Sequence, residues 1–488
     1  MKLWQPTAVA LAIAAAHPLP AAAHTNDELL KELRALRDRV QQLEEKLKAT
    51  TPAKAPVATA PTATLAPVTA VAPAPAPIAA GMTSEQASEM SRLALKVDTL
   101  EEAREGSFTK GMTINGSIDP TFIYNRAQNR AGIQLLNSAQ LGPYSYDNSF
   151  FGTATLDIQK ELEGGTKFRL TIMPDRGVGS HINFASIVHE ASVSIPLDGD
   201  TTRLIAGQIP DWSGYELLPS KDNKLVTHNL LFDLIAPLAY TAVGLDLKRG
   251  DWAGKIVVGN FNSTKRAPNE KSPMLAYRAD YTINEYSGIG FSGVHGKAGN
   301  LVNGKNVPGV VNGTGDTGLN IFEVDGFYTR GDWTGQAQIS YGQQAKAAIA
   351  TTIDDNDKTH FYTARWVGLS GLAAYKFTPR LEGVVRADYI FNRWNGGGLL
   401  GFGNDSLNGI GQGFVGFNSD GAAVASDSRH GANRYALSVG GNFHFNEYTI
   451  FKLEYRFDGA TKRVFEYVDN NTFKKYNHLF GAQVVVSF

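Results

Sequence analysis

Residues 480–488 read Phe480-Gly-Ala-Gln-Val-Val-Val-Ser-Phe488. Successive side chains of a strand point to opposite sides, so Phe480, Ala482, Val484, Val486 and Phe488 fall on one apolar face. The same period runs upstream. Phe451, Leu453, Tyr455 and Phe457 alternate with Lys452, Glu454 and Arg456, and Leu381, Val385, Ala387, Tyr389 and Phe391 oppose Glu382, Arg386 and Asp388. The pattern begins near Gly111, where Ile114, Ile118, Phe122 and Tyr124 share one face and Thr113, Asn115, Ser117 and Asp119 the other. Segments of about ten residues thus carry one apolar and one polar or charged face.

A soluble sandwich and a transmembrane barrel both alternate in this way. Three features select the barrel: tight connections alternate with long polar ones, aromatic residues cluster at segment ends, and the chain ends in a strand that finishes on Phe. Seven tight turns stand out: Glu163-Gly164-Gly165, Asp198-Gly199-Asp200, Arg249-Gly250-Asp251, Ile283-Asn284-Glu285, Arg330-Gly331-Asp332, Phe377-Thr378-Pro379 and Phe445-Asn446-Glu447. With both ends of the barrel on the side of these turns, they predict a 16-stranded antiparallel β-barrel over 111–488, at about 24 residues per strand and connection. One hairpin more or fewer would give fourteen or eighteen. Barrels of about 16 to 18 strands are too wide for side chains to fill and leave an aqueous channel.

The N-terminal quarter is different. Lys2, the apolar run Ala8–Ala16 and the small residues Ala21-Ala22-Ala23 form a signal peptide over 1–23, so the protein is expected to be exported. Thr25 and Glu28 cap a helix over 24–49 whose seam, Leu29, Leu33, Leu36, Val40, Leu43 and Leu47, is that of a short coiled coil. Residues 50–82 hold seven prolines between Pro52 and Pro77 and a single charge, Lys54, which makes a semi-rigid spacer. A second short helix is expected over 83–105, with Met90, Leu93, Val97 and Leu100 on one side. Leu at both seam positions does not choose between two and three chains.

Composition narrows the function. The 46 Lys and Arg nearly cancel the 47 Asp and Glu among 488 residues, against the strong basic face that nucleic acid demands. There is no Cys, which excludes thiol nucleophiles, disulfides and Cys-based metal sites. Two G-x-G-x-x-G strings, at Gly288, Gly290, Gly293 and at Gly411, Gly413, Gly416, lack the strand-turn-helix setting of a nucleotide site. The acidic run Asp354, Asp355, Asn356, Asp357 fails the calcium-loop pattern, with Thr359 where Gly is needed and Arg365 where the bidentate Glu belongs. No zinc-type His spacing or serine elbow occurs, so neither an enzyme nor a cofactor or metal site is expected. Arg-Gly-Asp-Trp occurs at 249–252 and 330–333, where Gly supplies a turn and Trp an interfacial anchor.

The third external loop, about Asp211 to Pro237, is the apolar one. Trp212, Tyr215, Leu217, Leu218, Leu230, Leu231, Phe232 and Leu234 would cost several kcal/mol if left in water, so the loop is expected inside the lumen or against a neighbouring subunit. Folded inward, it makes Asp211, Trp212, Glu216, Lys221, Asp222, Lys224, His228 and Asp233 candidate constriction residues. Arg169, Arg203, Arg278, Arg365, Arg386, Lys452 and Arg456 are the candidate lumen cations, set among Asp157, Glu190, Asp280, Glu323, Asp325, Glu382, Asp388 and Glu454. The signs are mixed and fix no ion preference.

The terminal strand with Phe488 resembles the C-terminal signal of Gram-negative outer-membrane proteins, which the barrel-assembly machinery reads. The export signal, coiled coil, Ala/Pro spacer, strand pattern and terminal Phe together resemble trimeric Gram-negative porins of the phosphate-selective and DcaP-like group. The string RLIAGQIPDWSGYE, Arg203–Glu216, is similar to that group's passage from strand to constriction loop. The whole chain also looks like an uncharacterised porin-like family that begins with T-N-D-E-L-L-K-E-L, here Thr25–Leu33. The resemblance implies a homotrimer in the Gram-negative outer membrane, in contact with lipid and lipopolysaccharide, with its N-terminal arm in the periplasm and passive uptake of small hydrophilic solutes or ions. No Arg-rich loop motif is present to carry over a phosphate or dicarboxylate site. A second function stays open: a structural tether in which the barrel anchors the arm to a periplasmic partner such as peptidoglycan.

Overall fold

The computed structural model describes residues 110–136, 151–173, 187–199, 201–237, 239–261, 270–300, 316–353, 355, 359–400, 404–406, 408–427 and 429–488. The chain divides into Met1–Ala87 and Ser88–Phe488, and every described residue belongs to the second unit. The signal peptide, coiled-coil helix, linker and second helix expected over 1–105 lie outside the described residues.

Among the described residues, eighteen strand segments form one sheet. They make sixteen staves, because each of the first two staves is built from two segments. These are β1 (Met112–Ile118 and Thr121–Asn125), β2 (Arg130–Gln134 and Ala154–Glu161), β3 (Lys167–Ile172), β4 (Val188–Asp198), β5 (Thr202–Pro210) and β6 (Ala239–Arg249). There follow β7 (Trp252–Phe261), β8 (Met274–Asn284), β9 (Ser287–Ala298), β10 (Thr317–Arg330) and β11 (Trp333–Gln344). The last five are β12 (Ala364–Lys376), β13 (Leu381–Phe391), β14 (Arg434–His444), β15 (Thr449–Ala460) and β16 (Tyr476–Ser487). Neighbours pair antiparallel, and β16 returns to β1 through Ile118 opposite Val486 and Thr121 opposite Gln483, which closes the barrel. Phe488 extends that seam, its N–H and C=O both bonded to Gly116 at 3.0 and 3.1 Å. A closed ring leaves no unpaired strand edge.

All seven expected turns join staves at one end. In the two Arg-Gly-Asp-Trp turns Gly250 and Gly331 take φ of +57° and +60°, the left-handed backbone the turn requires. The exposed Trp252 and Trp333 then pack tilted against Tyr281 and Tyr375 with ring centroids at 4.8 and 4.7 Å, forming part of an aromatic rim. Two features differ from the sequence reading. β1 breaks at Asp119-Pro120, since proline has no N–H for the ladder. The first connection at the opposite end is the tight turn 126–129 rather than a long loop, and chain is inserted instead between the two halves of β2, where Leu136 N–H bonds Gly152 C=O at 2.9 Å.

The faces sort as the alternation requires. Phe451, Leu453 and Tyr455 of β15 are exposed on the outer face, while Lys452, Glu454 and Arg456 are buried on the inner one. No helix among the described residues is long and apolar enough to cross a membrane; the outer apolar band belongs to the strands. Beyond the staves, the loop hairpins Phe414–Phe417 with Ala423–Ala425 and Phe465–Tyr467 with Thr472–Lys474 bury a small core of Phe414, Val464, Phe465, Tyr467 and Phe473.

Candidate functional site

Segment 211–237 leaves β5 at Pro210 and returns to β6 at Ala239, and between them it runs inside the barrel. Its partners are inward-facing residues of the far wall. Arg278 of β8 donates to the Trp212 carbonyl at 2.7 Å, and Tyr215 meets Ser370 of β12 at 2.5 Å. Glu216 accepts from Arg386 of β13 at 2.8 Å and from its own segment's Asn229 N–H at 2.6 Å. Lys224 pairs with Glu382 at 2.7 Å, Lys452 of β15 donates to the Asn223 carbonyl at 2.6 Å, and Glu454 receives the Thr227 N–H at 2.7 Å. Arg386 and Arg456 both donate to the His228 carbonyl, at 2.9 and 2.6 Å. A chain that crosses a lumen must satisfy its backbone groups, and here wall side chains do so.

Apolar packing fixes the second half. Asn229 caps the short helix α1 (Leu230–Ile235) by accepting from Phe232 N–H at 2.7 Å. Leu230, Leu231, Leu234 and Ile235 are buried against Tyr240, Trp366 and Ile390 of the wall. The wall is notched to receive them: a Cβ on Gly368 would lie 2.8 Å from Leu231 Cγ. This is the apolar character that set the loop apart in sequence, now matched to a partner surface.

Burial sets the electrostatics of the segment. Desolvation pushes the Glu216 carboxyl up to about 7 despite Arg386, and raises that of Asp211, whose oxygens accept from Tyr240 and Ser213. Burial lowers the His228 imidazole to about 3 against the bond from its Nε2 to the Leu217 carbonyl, with Arg386, Arg456 and Lys452 adding to the shift. That ring stacks on Phe232 at 4.1 Å.

The segment does not fill the lumen. A cavity of about 720 Å³ remains between it and β1–β4, lined by Asp157, Arg169, Thr171, His189 and Glu190 on the wall and by Asp211, Trp212, Glu216, Leu217, Lys221 and Asp222 on the segment. Arg278 and Lys255 complete the far side.

Most of the candidate residues therefore converge. Asp211, Trp212, Glu216, Lys221, Arg169 and Arg278 border the cavity, while Lys224, His228, Asp233, Arg386, Lys452 and Arg456 anchor the segment behind it; Asp233 lies 3.8 Å from Arg456. Arg203 does neither, because its guanidinium is bonded to Ser194 and to the carbonyl of Gly165 in the rim turn, at 2.7 and 2.6 Å. Arg365 corrects the reading outright. It alternates with the inward Ala364 and Trp366 and is exposed on the outer face. Lys255 was missed although it sits at an inward position between the outward Gly254 and Ile256. The anchoring acceptors Asn223 and Thr227 carry no charge to flag them.

A family model described as "Protein of unknown function (DUF3138)" matches residues 5–488. No curated protein matches the chain. Among solved structures it is similar to a loop L8 deletion mutant of OmpT, an outer membrane protein of Vibrio cholerae, at 10% identity and TM-score 0.48, covering 77% of this chain and 99% of that one. The outer membrane channel DcaP of Acinetobacter baumannii aligns at 9% identity and TM-score 0.45 over 77% and 97% of the two chains. The anion-selective porin from Comamonas acidovorans aligns at 8% and 0.44 over 77% and 99%.

Proposed function

The chain belongs to the DUF3138 family, and we propose that it is a passive, water-filled diffusion channel for small hydrophilic solutes and ions in the Gram-negative outer membrane. One observation carries this reading: a closed sixteen-stave ring, apolar outside and charged inside, whose inserted segment leaves a cavity of about 720 Å³ lined by charged and apolar side chains. A ring of this size is too wide for wall side chains to fill, and an apolar band on strands suits a bilayer.

Segment Asp211–Pro237 is the constriction in this reading. Support comes from its bonds to the far wall and from the apolar docking of α1, which hold it as a fixed partition. A homotrimer whose arm lies in the periplasm, in contact with lipid and lipopolysaccharide, rests on the resemblance of Thr25–Leu33 and Arg203–Glu216. No catalytic step belongs to the reading.

The test is conductance of the refolded full chain in planar bilayers. Stepwise current is expected, and replacing 211–237 by a short Gly-Ser turn should raise each step severalfold. An unchanged step would remove the constriction role. Silence from a correctly folded, heat-modifiable barrel would remove the channel role and favour the tether.

A further inference from the structure

The cavity beside the inserted segment has two unlike walls. On the β1–β4 side Arg169 holds Asp157 through Nε at 2.8 Å and Glu190 through Nη1 at 3.3 Å. The guanidinium covers both acids: its side chain is 47% exposed, theirs 12% and 10%. Its Nη2 has no protein partner among the described residues. Across the cavity Lys255 is 43% exposed, with its nearest carboxylate, Asp246, 3.9 Å away and the Trp212 ring centroid at 5.8 Å. Lys221 and Asp222 pair at 2.7 Å and offset each other. A solute in the cavity thus meets a guanidinium with Asp157 and Glu190 screened behind it, and an ammonium opposite.

The segment's own wall carries apolar surface between its charged residues. Leu217 is 50% exposed inside the barrel, and Leu218, Pro219, Phe232 and Trp212 line the cavity around it. Apolar surface left in water beside a transport path is a favourable contact for any solute that can cover it.

From this juxtaposition we infer that the cavity is a binding eyelet for small monocarboxylates carrying an apolar or aromatic group. The inference rests on the channel reading above and deepens it. A carboxylate accepts from the open Arg169 donors, with Lys255 across the cavity adding favourable charge, while its apolar part lies against Leu217 and its neighbours. A dianion is disfavoured, because five acids, Asp157, Glu190, Asp211, Glu216 and Asp222, line the cavity with four cations, Arg169, Lys221, Lys255 and Arg278. Neutral polyols lack both contacts.

The test uses the full chain in planar bilayers in KCl, with phenylacetate, acetate and 2-phenylethanol as probes. Phenylacetate should reduce the current with a half-saturation concentration about tenfold below either of the others, each of which supplies one contact only. Leu217→Ser, at an exposed position, should raise the phenylacetate value about fivefold and leave acetate unchanged. Lys255→Gln should raise both carboxylate values. KCl current with phenylacetate no better than acetate, or unmoved by Leu217→Ser, overturns the inference and leaves the channel standing. Absence of KCl current overturns both.

Discussion

Arg386 of β13 and Glu216 of the inserted segment, 170 residues apart in the chain, meet at 2.8 Å inside the barrel with their side chains 0% and 3% exposed. Arg386 also donates to the Thr227 carbonyl at 2.7 Å and to Asp388 at 3.3 Å, and lies 3.7 Å from Glu454. One guanidinium therefore ties the wall's acids to both the outgoing and the returning limb of the segment.

Breaking that tie should be costly and asymmetric. Arg386→Ala removes the cation from beside three buried carboxylates, and removing one partner of a buried ion pair costs about 3–5 kcal/mol. Glu216→Gln keeps an acceptor for Asn229 N–H and should cost about 1–2 kcal/mol. Arg386→Ala is expected to free the segment, which would show as larger current steps and rapid tryptic cleavage at Lys221 and Lys224. Equal protease resistance in the two variants would refute this ranking.

The notch at Gly368 gives a steric test. A leucine there must overlap Leu231 and Ile235, whose side chains would lie within 3.2 Å of its Cβ. Overpacking of this kind costs about 1–3 kcal/mol, and α1 is the part able to move. Gly368→Leu should raise conductance while the barrel keeps its heat-modifiable migration. Leu231→Ala, which removes packing instead, should destabilise docking by about 2–5 kcal/mol. Reduced conductance in Gly368→Leu would mean that the lumen lies elsewhere.

Two buried groups of the segment titrate in opposite senses. Glu216, raised from 4.5 to about 7, binds its proton more tightly when docked, so its contribution is full below about pH 4.5 and is lost as pH rises through 7. His228, lowered from 6.5 to about 3, favours docking above pH 6.5 and loses that contribution as pH falls toward 3. Asp211, raised from 3.8 by burial, acts in the same sense as Glu216; between pH 4.5 and 6.5 the carboxyl and imidazole slopes oppose each other, and below pH 3.8 only His228 acts. Current steps should be steady across the middle range and enlarge below pH 4. Glu216→Gln should leave docking that strengthens as pH rises to 6.5, and His228→Gln docking that weakens from pH 4.5 to 7. A pH-step series on the three proteins decides it.

The fold was largely legible because a barrel writes its geometry locally. Alternation in β15 and the seven Gly, Asn or Pro turns carry the stave count without any long-range knowledge. Asp119-Pro120 broke β1 for a reason visible in the sequence, yet the chain inserted within β2 was not, since it depends on how β1 shares its length between two halves of its neighbour. The site was half legible. Apolar content marked 211–237 for burial, and strand parity placed Arg386, Lys452 and Arg456 inside. Arg365 went wrong because one residue of parity carries a side chain across the wall. What no local pattern could supply is which of two lumen charges stands in front: Arg169 shields Asp157 and Glu190 only through the packing of three adjacent staves.

That ordering has a consequence for ion preference. Sequence composition of the lumen is balanced, but permeating ions respond to the charges they can approach, and on this wall of the cavity that is Arg169 rather than Asp157 and Glu190 behind it, with Lys255 half-exposed opposite. The open channel should therefore favour anions. Lys255→Glu reverses a half-exposed charge at a site where both forms stay solvated, so folding should be unaffected. In a charged, narrow path this is on the order of 1 kcal/mol, about a fivefold change in permeability ratio toward cations. The reversal potential under a KCl gradient near 0.1 M measures it, because at 1 M salt the screening length of about 3 Å would hide the difference. A reversal potential that ignores Lys255→Glu would place the ion path away from this cavity.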